Sequence, residues 1–258
     1  MVLIAVVGGT GVAGRAVVAH ALDSGHRVRS LSRHLPAADN RVQRAEYVQA
    51  EVHTGAGMDG GLDGVDVLIE TMDARAGAAL RSLPVATVSV LAAAERAGVG
   101  RCVLLTIVNA GECPMGYYQV QAARALSYER SAMATSVVYA TQFHNLVAGI
   151  FSGGAKAGII PAFRGVSFQP ISTADVAAVL VAQALGDSSD KASVQAGGPA
   201  VHAMDELGHM WKTATGSRAR VTHLPLPGAF GAFLRAGRNL VPDHAVGVES
   251  FESWLANR

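Results

Sequence analysis

Lysine is the residue this chain most lacks: Lys156, Lys191 and Lys212 are the only three in 258 residues, and arginine supplies nearly all the other positive charge. Chemistry that needs a lysine before position 156 is therefore excluded. Cysteine is almost as scarce. Cys102 falls in an apolar strand and Cys113 in a loop, so no disulfide framework is expected and a reducing cytoplasm is the expected location. The formal net charge is +1 with scattered basic residues, which argues against a nucleic-acid surface. No apolar run is expected to reach membrane-helix length, and the apolar start, residues 1–7, is too short for a secretory h-region. No Gly-x-Ser-x-Gly elbow appears. His202 and His209 stand seven apart and His20, His223 and His244 are scattered, so no metal site is expected. An apolar fraction of 50% over 258 residues suits one well-filled domain, or a domain with a small appendage.

What is present is a glycine turn after an apolar strand. Gly8, Gly11 and Gly14 fall on a G-x-x-G-x-x-G spacing within Val6-Val7-Gly8-Gly9-Thr10-Gly11-Val12-Ala13-Gly14-Arg15. One glycine makes the strand-to-helix turn, one lets backbone approach a pyrophosphate, and one lets the helix pack close on the sheet. A helix over 13–24 would aim its N–H groups and positive dipole end at the phosphates. Gly8, Thr10, Gly11, Val12, Ala13 and Gly14 are the candidate contacts.

The end of the second strand, 26–31, distinguishes the dinucleotides. An acid there serves the 2′-hydroxyl of NAD, whereas arginine accommodates the 2′-phosphate of NADP. No carboxylate occurs between Asp23 and Asp39, but Ser32 and Arg33 do. Arg33 can fork to a phosphate and Ser32 can offer a hydroxyl, with Arg15 and His34 as helpers. NADP is the expected cofactor, with NAD as the alternative.

Strand and helix signals alternate through the first two thirds: strands at 46–50, 65–71, 101–108 and 136–140, and helices at 85–97 and 117–132. That is the pattern of a doubly wound parallel α/β sheet. From about Gly149 the texture changes. Gly153, Gly154 and Gly158 mark a loop, then come a strand at 167–171, a helix at 176–185 capped through Thr173-Ala174-Asp175, strands at 193–196 and 220–223, and a helix at 204–215. An amphipathic tail covers 230–257. The expected division is a core over 1–150 and a small C-terminal α+β substrate lobe over 151–258, packed as one continuous globular unit.

Gly8 to Arg15, Ser32-Arg33, Gly64-Val65-Asp66, Ala97-Gly98-Val99, Val103-Leu104-Leu105-Thr106, Tyr117-Tyr118, Ala140-Thr141-Gln142-Phe143 and Ala174-Asp175-Val176-Ala177 form an ordered series. On these the chain resembles the atypical short-chain dehydrogenase/reductases, in particular their NmrA-like NAD(P)-binding branch. The resemblance implies a Rossmann core with a small substrate lobe and a bound dinucleotide. It implies further that Glu51-Val52 lies near the adenine, that Thr71-Met72-Asp73 lines the cofactor, and that Thr141-Gln142-Phe143 flanks the nicotinamide.

Catalytic members of that superfamily use a Tyr-x-x-x-Lys pair with a serine or threonine from the preceding strand. Lysine stabilises the phenolate of a group whose ordinary pKa is near 10. Here Tyr117 is followed four residues later by Gln121, and the serine position falls at Ile107 beside Thr106. Three readings follow. Hydride could go to a small carbonyl, quinone or enone compound needing little proton assistance. Another donor could act, with Tyr117, His144 and Asn109 as candidates. Or the chain could bind NADP without turnover, as a redox-sensing regulator working through a protein partner. The first is the leading reading, with a small molecule as the partner and neither nucleic acid nor membrane expected. Gln121 could serve the nicotinamide ribose in lysine's place. Glu70 ends an apolar strand and reads as a group bonded to loop backbone, or else as a pocket acid.

Overall fold

The structure, a computed structural model, describes residues 1–186 and 192–258. Leu3–Val7 (β1) is apolar and buried at every position, the signature of a strand covered on both faces. It leads into α1 (Val12–Asp23), β2 (Arg27–Ser32), β3 (Glu46–Gln49), α2 (Met58–Leu62), β4 (Val67–Glu70), α3 (Gly77–Arg96) and β5 (Arg101–Ile107). Then come α4 (Gly116–Arg130), β6 (Thr135–Ala140), α5 (His144–Ala155), β7 (Ile159–Phe163), β8 (Ser167–Phe168), α6 (Thr173–Leu185) and β9 (Ala192–Ala196). The chain finishes with β10 (His202–Ala203), α7 (Met204–Thr215), β11 (Arg220–Leu224), α8 (Gly228–Arg235) and α9 (Phe251–Ala256).

The main sheet has the order β3-β2-β1-β4-β5-β6-β9. Its ladders are parallel where β1 meets β2 and β4, with Val6 opposite both Ser30 and Ile69, and again where Ile69 faces Val103 of β5. The order reverses between β1 and β4. In a doubly wound sheet, ligands bind outside the carboxyl ends of the strands at that switch point. The glycine turn leaves β1 there, and Thr71-Met72-Asp73 leaves β4.

The chain divides into two compact units. One comprises Met1–Thr106, Gly116–Val138 and Val176–Val194; the other comprises Ile107–Met115, Tyr139–Asp175 and Gln195–Arg258. In the second, β7 pairs with β11 in parallel from Ile159↔Arg220 to Phe163↔Leu224, and β8 pairs antiparallel with β10.

Several elements differ from the expectation drawn from sequence. Helix α3 starts at Gly77 and runs through Pro84. Proline costs a helical hydrogen bond, but Leu83, Ala86 and Thr87 are all buried around it, and that packing carries the helix across. At 20 residues, α3 is long and apolar enough to span a membrane by length and composition alone, which corrects the expectation that no segment approaches that length. Arg81 and Pro84 interrupt the apolar letters and hid it. Gly153 and Gly154, read as loop, lie within α5; a Cβ on Gly154 would come 2.7 Å from the Ile159 carbonyl and from Pro161, so the glycine permits a close contact.

Glu70 is fully buried, and its partner is a side chain from a distant helix, not the loop backbone or pocket expected. Arg124 Nη2 donates to its Oε1 at 2.8 Å, with both side chains wholly inaccessible. Thr87 Oγ1 donates to the same oxygen at 2.7 Å and Tyr128 Oη to Oε2 at 2.9 Å. Arg124 Nε donates to Thr87 Oγ1 at 3.0 Å. Burial and the Glu70 charge push the Tyr128 phenol well above its ordinary value and the Cys102 thiol up to about 12.

Removing only the cation would leave an unpaired buried carboxylate, whereas removing both charges would not. Arg124→Met is therefore expected to cost about 3–5 kcal/mol in urea denaturation, and Glu70→Gln/Arg124→Met markedly less. A double variant as destabilised as Arg124→Met would refute the coupling.

Candidate functional site

The glycine turn is built by close backbone approach. Gly8 has φ +85°, and a Cβ there would lie 2.9 Å from Met72 N and 3.0 Å from the Thr71 carbonyl carbon. Only glycine suits both the conformation and the space. A Cβ on Gly14 would collide with the Gly8 carbonyl and approach Gly9 Cα at 2.7 Å and Thr71 Oγ1 at 2.8 Å. Gly11 is freer, with the Gly8 carbonyl at 3.3 Å from such a Cβ. Gly8 N–H donates to Leu31 O at 3.1 Å and Gly11 N–H to Gly8 O at 3.0 Å, which fixes the turn against β2.

Helix α1 has no side-chain cap at Gly11 and no acid in its first turn. Its first helical bond within the turn is Arg15 N–H to Gly11 O at 2.9 Å. The amides of Val12, Ala13 and Gly14 thus precede the intrahelical ladder and face outward from a positive dipole end. A crowded glycine cradle, uncapped amides and no acid together fit a dinucleotide pyrophosphate. Thr10 is half-buried in the same turn. Thr71 is buried, with its N–H and Oγ1 both donating to Val7 O, at 2.9 and 3.2 Å.

At the end of β2, Ser32 Oγ donates to His34 O at 2.8 Å. Arg33 is exposed and makes no ion pair among the described residues. Ala50 N–H reaches Ser32 O at 3.0 Å, which places Glu51-Val52 beside this end of the sheet. Val52 is buried, and Glu51 closes its own turn by accepting from His53 N–H at 3.1 Å.

Beyond β4 a second cluster forms. Tyr117 Oη donates to Asp73 Oδ1 at 3.0 Å, and Gln121 Nε2 donates to the same oxygen at 3.2 Å. Arg124 Nη1 donates to Gln121 Oε1 at 2.7 Å, and Thr106 Oγ1 to the Gln121 carbonyl at 3.3 Å. Burial, then the charge and hydrogen bond of Asp73, push the Tyr117 phenol well above its ordinary value. Arg124 was not found by the sequence reading. The signal was present: a carboxylate ending a buried strand needs a cation, and Arg124 continues the face of α4 that bears Tyr117 and Gln121.

The other expected site residues lie in the second unit. Thr141 Oγ1 donates to Gln169 O at 2.6 Å and accepts from Gly198 N–H at 3.3 Å. Gln142 Nε2 donates to Asn239 O at 3.1 Å. Phe143 bridges to Ile171 and caps α5. His144 is buried against Phe251 and Trp254, with Nε2 3.0 Å from the Glu249 carbonyl oxygen. Burial lowers its pKa, so the ring favours the neutral form. Asp175 Oδ2 accepts from the N–H groups of Val248 and Glu249 at 3.0 and 3.1 Å. Asn109 Nδ2 donates to Arg238 O at 2.8 Å.

Residues 8–187 match a family model described as NAD(P)H-binding. No curated protein matches the sequence. An NADPH-dependent quinone oxidoreductase from Escherichia coli, in complex with NADPH, superposes with a TM-score of 0.81 at 15% identity, covering 98% of this chain and 99% of that one. The epimerase Mth375 from Methanothermobacter thermautotrophicus gives 0.80 at 14% identity, over 98% and 90% of the two chains. A UDP-N-acetylglucosamine 4-epimerase from Bacillus cereus gives 0.72 at 13% identity, over 100% and 95%. At these identities the likeness is one of fold.

The tight Gly14 and the freer Gly11 separate by substitution. Gly14→Ala, which must displace backbone, is expected to cost about 2 kcal/mol of stability and to abolish NAD(P)H binding in a fluorescence titration. Gly11→Ala should stay folded and bind with a modest loss. Equal behaviour of the two would refute the assigned close approach.

Proposed function

Because the chain belongs to the NAD(P)H-binding family, within the atypical short-chain dehydrogenase/reductases it resembles, we propose that it is an NADPH-preferring oxidoreductase. Its substrate is a small electrophile that needs little proton assistance, a quinone or enone in preference to an unactivated ketone. The observation that carries this reading is the bond from Tyr117 to Asp73. A tyrosine that donates to a carboxylate keeps its proton, and a pKa pushed well above the ordinary phenol value makes it a weaker acid. Reducing a simple ketone creates a strongly basic alkoxide that must be protonated as it forms. Reducing a quinone creates a delocalised hydroquinone anion that water can protonate afterwards.

In this assignment the turn Gly8 to Gly14 receives the pyrophosphate, and Arg33, exposed and without an ion pair among the described residues, receives the 2′-phosphate with Ser32 beside it. Thr71, Met72 and Asp73 border the cofactor, with Thr106 and Gln121 behind them, while Glu51 and Val52 serve the adenine end. NADPH, when bound, supplies the hydride. The balance is NADPH, quinone and one proton giving NADP⁺ and hydroquinone. His144, with its ring bonded to backbone and packed by aromatic side chains, is read as a structural tie within its own unit. The E. coli protein described as an NADPH-dependent quinone oxidoreductase supports this substrate class through shared fold.

The test is NADPH consumption against quinones, enones and ketones. Turnover with the first two and little with ketones is expected, and silence despite tight NADPH binding would favour a regulator acting through a protein partner. Tyr117→Phe is expected to keep kcat within about threefold; a loss of about 10²-fold or more, the scale of general acid catalysis, would overturn the proposal. Arg33→Ala should weaken NADPH about tenfold or more and leave NADH nearly unchanged, since only the phosphate contact is lost.

A further inference from the structure

Gln121 is 3% exposed and both ends of its amide are engaged. Oε1 accepts from Arg124 Nη1 at 2.7 Å, and Nε2 donates to Asp73 Oδ1 at 3.2 Å. A guanidinium can only donate and a carboxylate can only accept. One amide orientation therefore makes both bonds; the flipped one sets N–H against N–H and oxygen against carboxylate. Arg124 is held by Glu70 at 2.8 Å and Thr87 at 3.0 Å, out of contact with water. The amide is thus oriented from inside the core. Asp73 Oδ1 takes its second donor from Tyr117 at 3.0 Å, and Oδ2 has no partner among the described residues. The segment bearing Asp73 begins at Thr71 and Met72, the residues crowded against Gly8.

We propose that the Glu70–Arg124 ion pair is a positioning device which, through Gln121, aims Asp73 so that its free carboxylate oxygen accepts a ribose hydroxyl of the bound dinucleotide. A carboxylate held by a neutral amide thus takes the ribose-holding task for which this chain has no lysine. The inference rests on NAD(P)H binding and on Asp73 as a cofactor contact; it does not depend on turnover.

Gln121→Glu tests it with little change of shape. The new carboxylate keeps the bond to Arg124 but turns its other oxygen toward Asp73, replacing a donor by a like charge. The other ionisable groups around this point are Tyr117, Arg124 and Tyr128 on α4, Glu70 ending β4, Arg75 after Asp73, and Cys102 on β5. Both tyrosines and the thiol have raised pKa values, so the new carboxyl pair is what the substitution adds to the titration. The readout is the NADPH dissociation constant at pH 8 and pH 6, as the ratio of variant to parent, with the thermal midpoint as control.

Gln121→Glu should melt within a few degrees of the parent and bind NADPH about fivefold or more weakly at pH 8, recovering toward parity at pH 6 as the pair takes up a proton. Gln121→Met, which removes the donor without adding charge, should weaken binding equally at both pH values. Asp73→Ala should weaken it as well. A Gln121→Glu ratio that is the same at both pH values, or parent-like binding by Gln121→Met or Asp73→Ala, would overturn the inference. None of these measurements reads turnover, so a quinone screen that fails leaves the result standing on its own.

Discussion

A carboxylate with no access to water ends the fourth strand of the sheet, and much of the first unit is arranged around it. Glu70 cannot remain charged there alone. Its two oxygens take three donors, from Arg124, Thr87 and Tyr128. Those donors come from two helices, so one charge fixes the register of α3 and α4 against β4 more specifically than apolar contact could. Such a pair does not stabilise a fold cheaply, because both ions lose their hydration. What it supplies here is direction: a guanidinium in a known place, with a nitrogen left over for Gln121.

The dinucleotide turn follows a different principle, that of excluded volume. Gly8 and Gly14 are packed against each other and against Thr71 so closely that neither tolerates a methyl group without displacement. The close packing brings the first turn of α1 up against β1 and leaves its amides uncapped. The ends of β1 and β4 therefore carry complementary equipment: backbone donors on one side and a hydrogen-bonded carboxylate on the other. Both stand at the switch point of the strand order, where a doubly wound sheet opens to a ligand.

The glycine turn and the strand order were legible in the sequence because they depend on local pattern. A G-x-x-G-x-x-G run after five apolar residues permits few other structures, and alternating strands and helices imply a parallel sheet. Helix α3 was read short at Pro84 because propensity is a local quantity, while the burial that carries the helix through that proline is not. Strand β7 was missed for the same reason: its partner β11 is some sixty residues away, and Pro161 within it argues against a strand. Glu70 was noticed as out of place, yet its partner lies 54 positions on in a helix with a weakly amphipathic pattern. Long-range charge pairing leaves no periodic trace of its own; the cost of an unpaired buried carboxylate is what calls for a cation, and the α4 face shared with Tyr117 and Gln121 is where one stands.

The exchange of lysine for glutamine at position 121 is thus more than a loss. A lysine near Tyr117 would favour the phenolate, whereas Asp73 favours the phenol, so the electrostatic sign at the tyrosine is inverted. Arg124 cannot restore it, because its charge is neutralised by direct contact with Glu70 and reaches Asp73 only through a neutral amide. The charge in direct contact with the phenol is the Asp73 carboxylate, with Arg75 acting on it in the opposite sense and less strongly. A site of that sign can hold hydroxyl donors and can stand beside a hydride donor, but it does not readily give up a proton. The glycine turn has the geometry of a dinucleotide cradle, and the carboxylate bonded to Tyr117 opposes loss of the phenol proton.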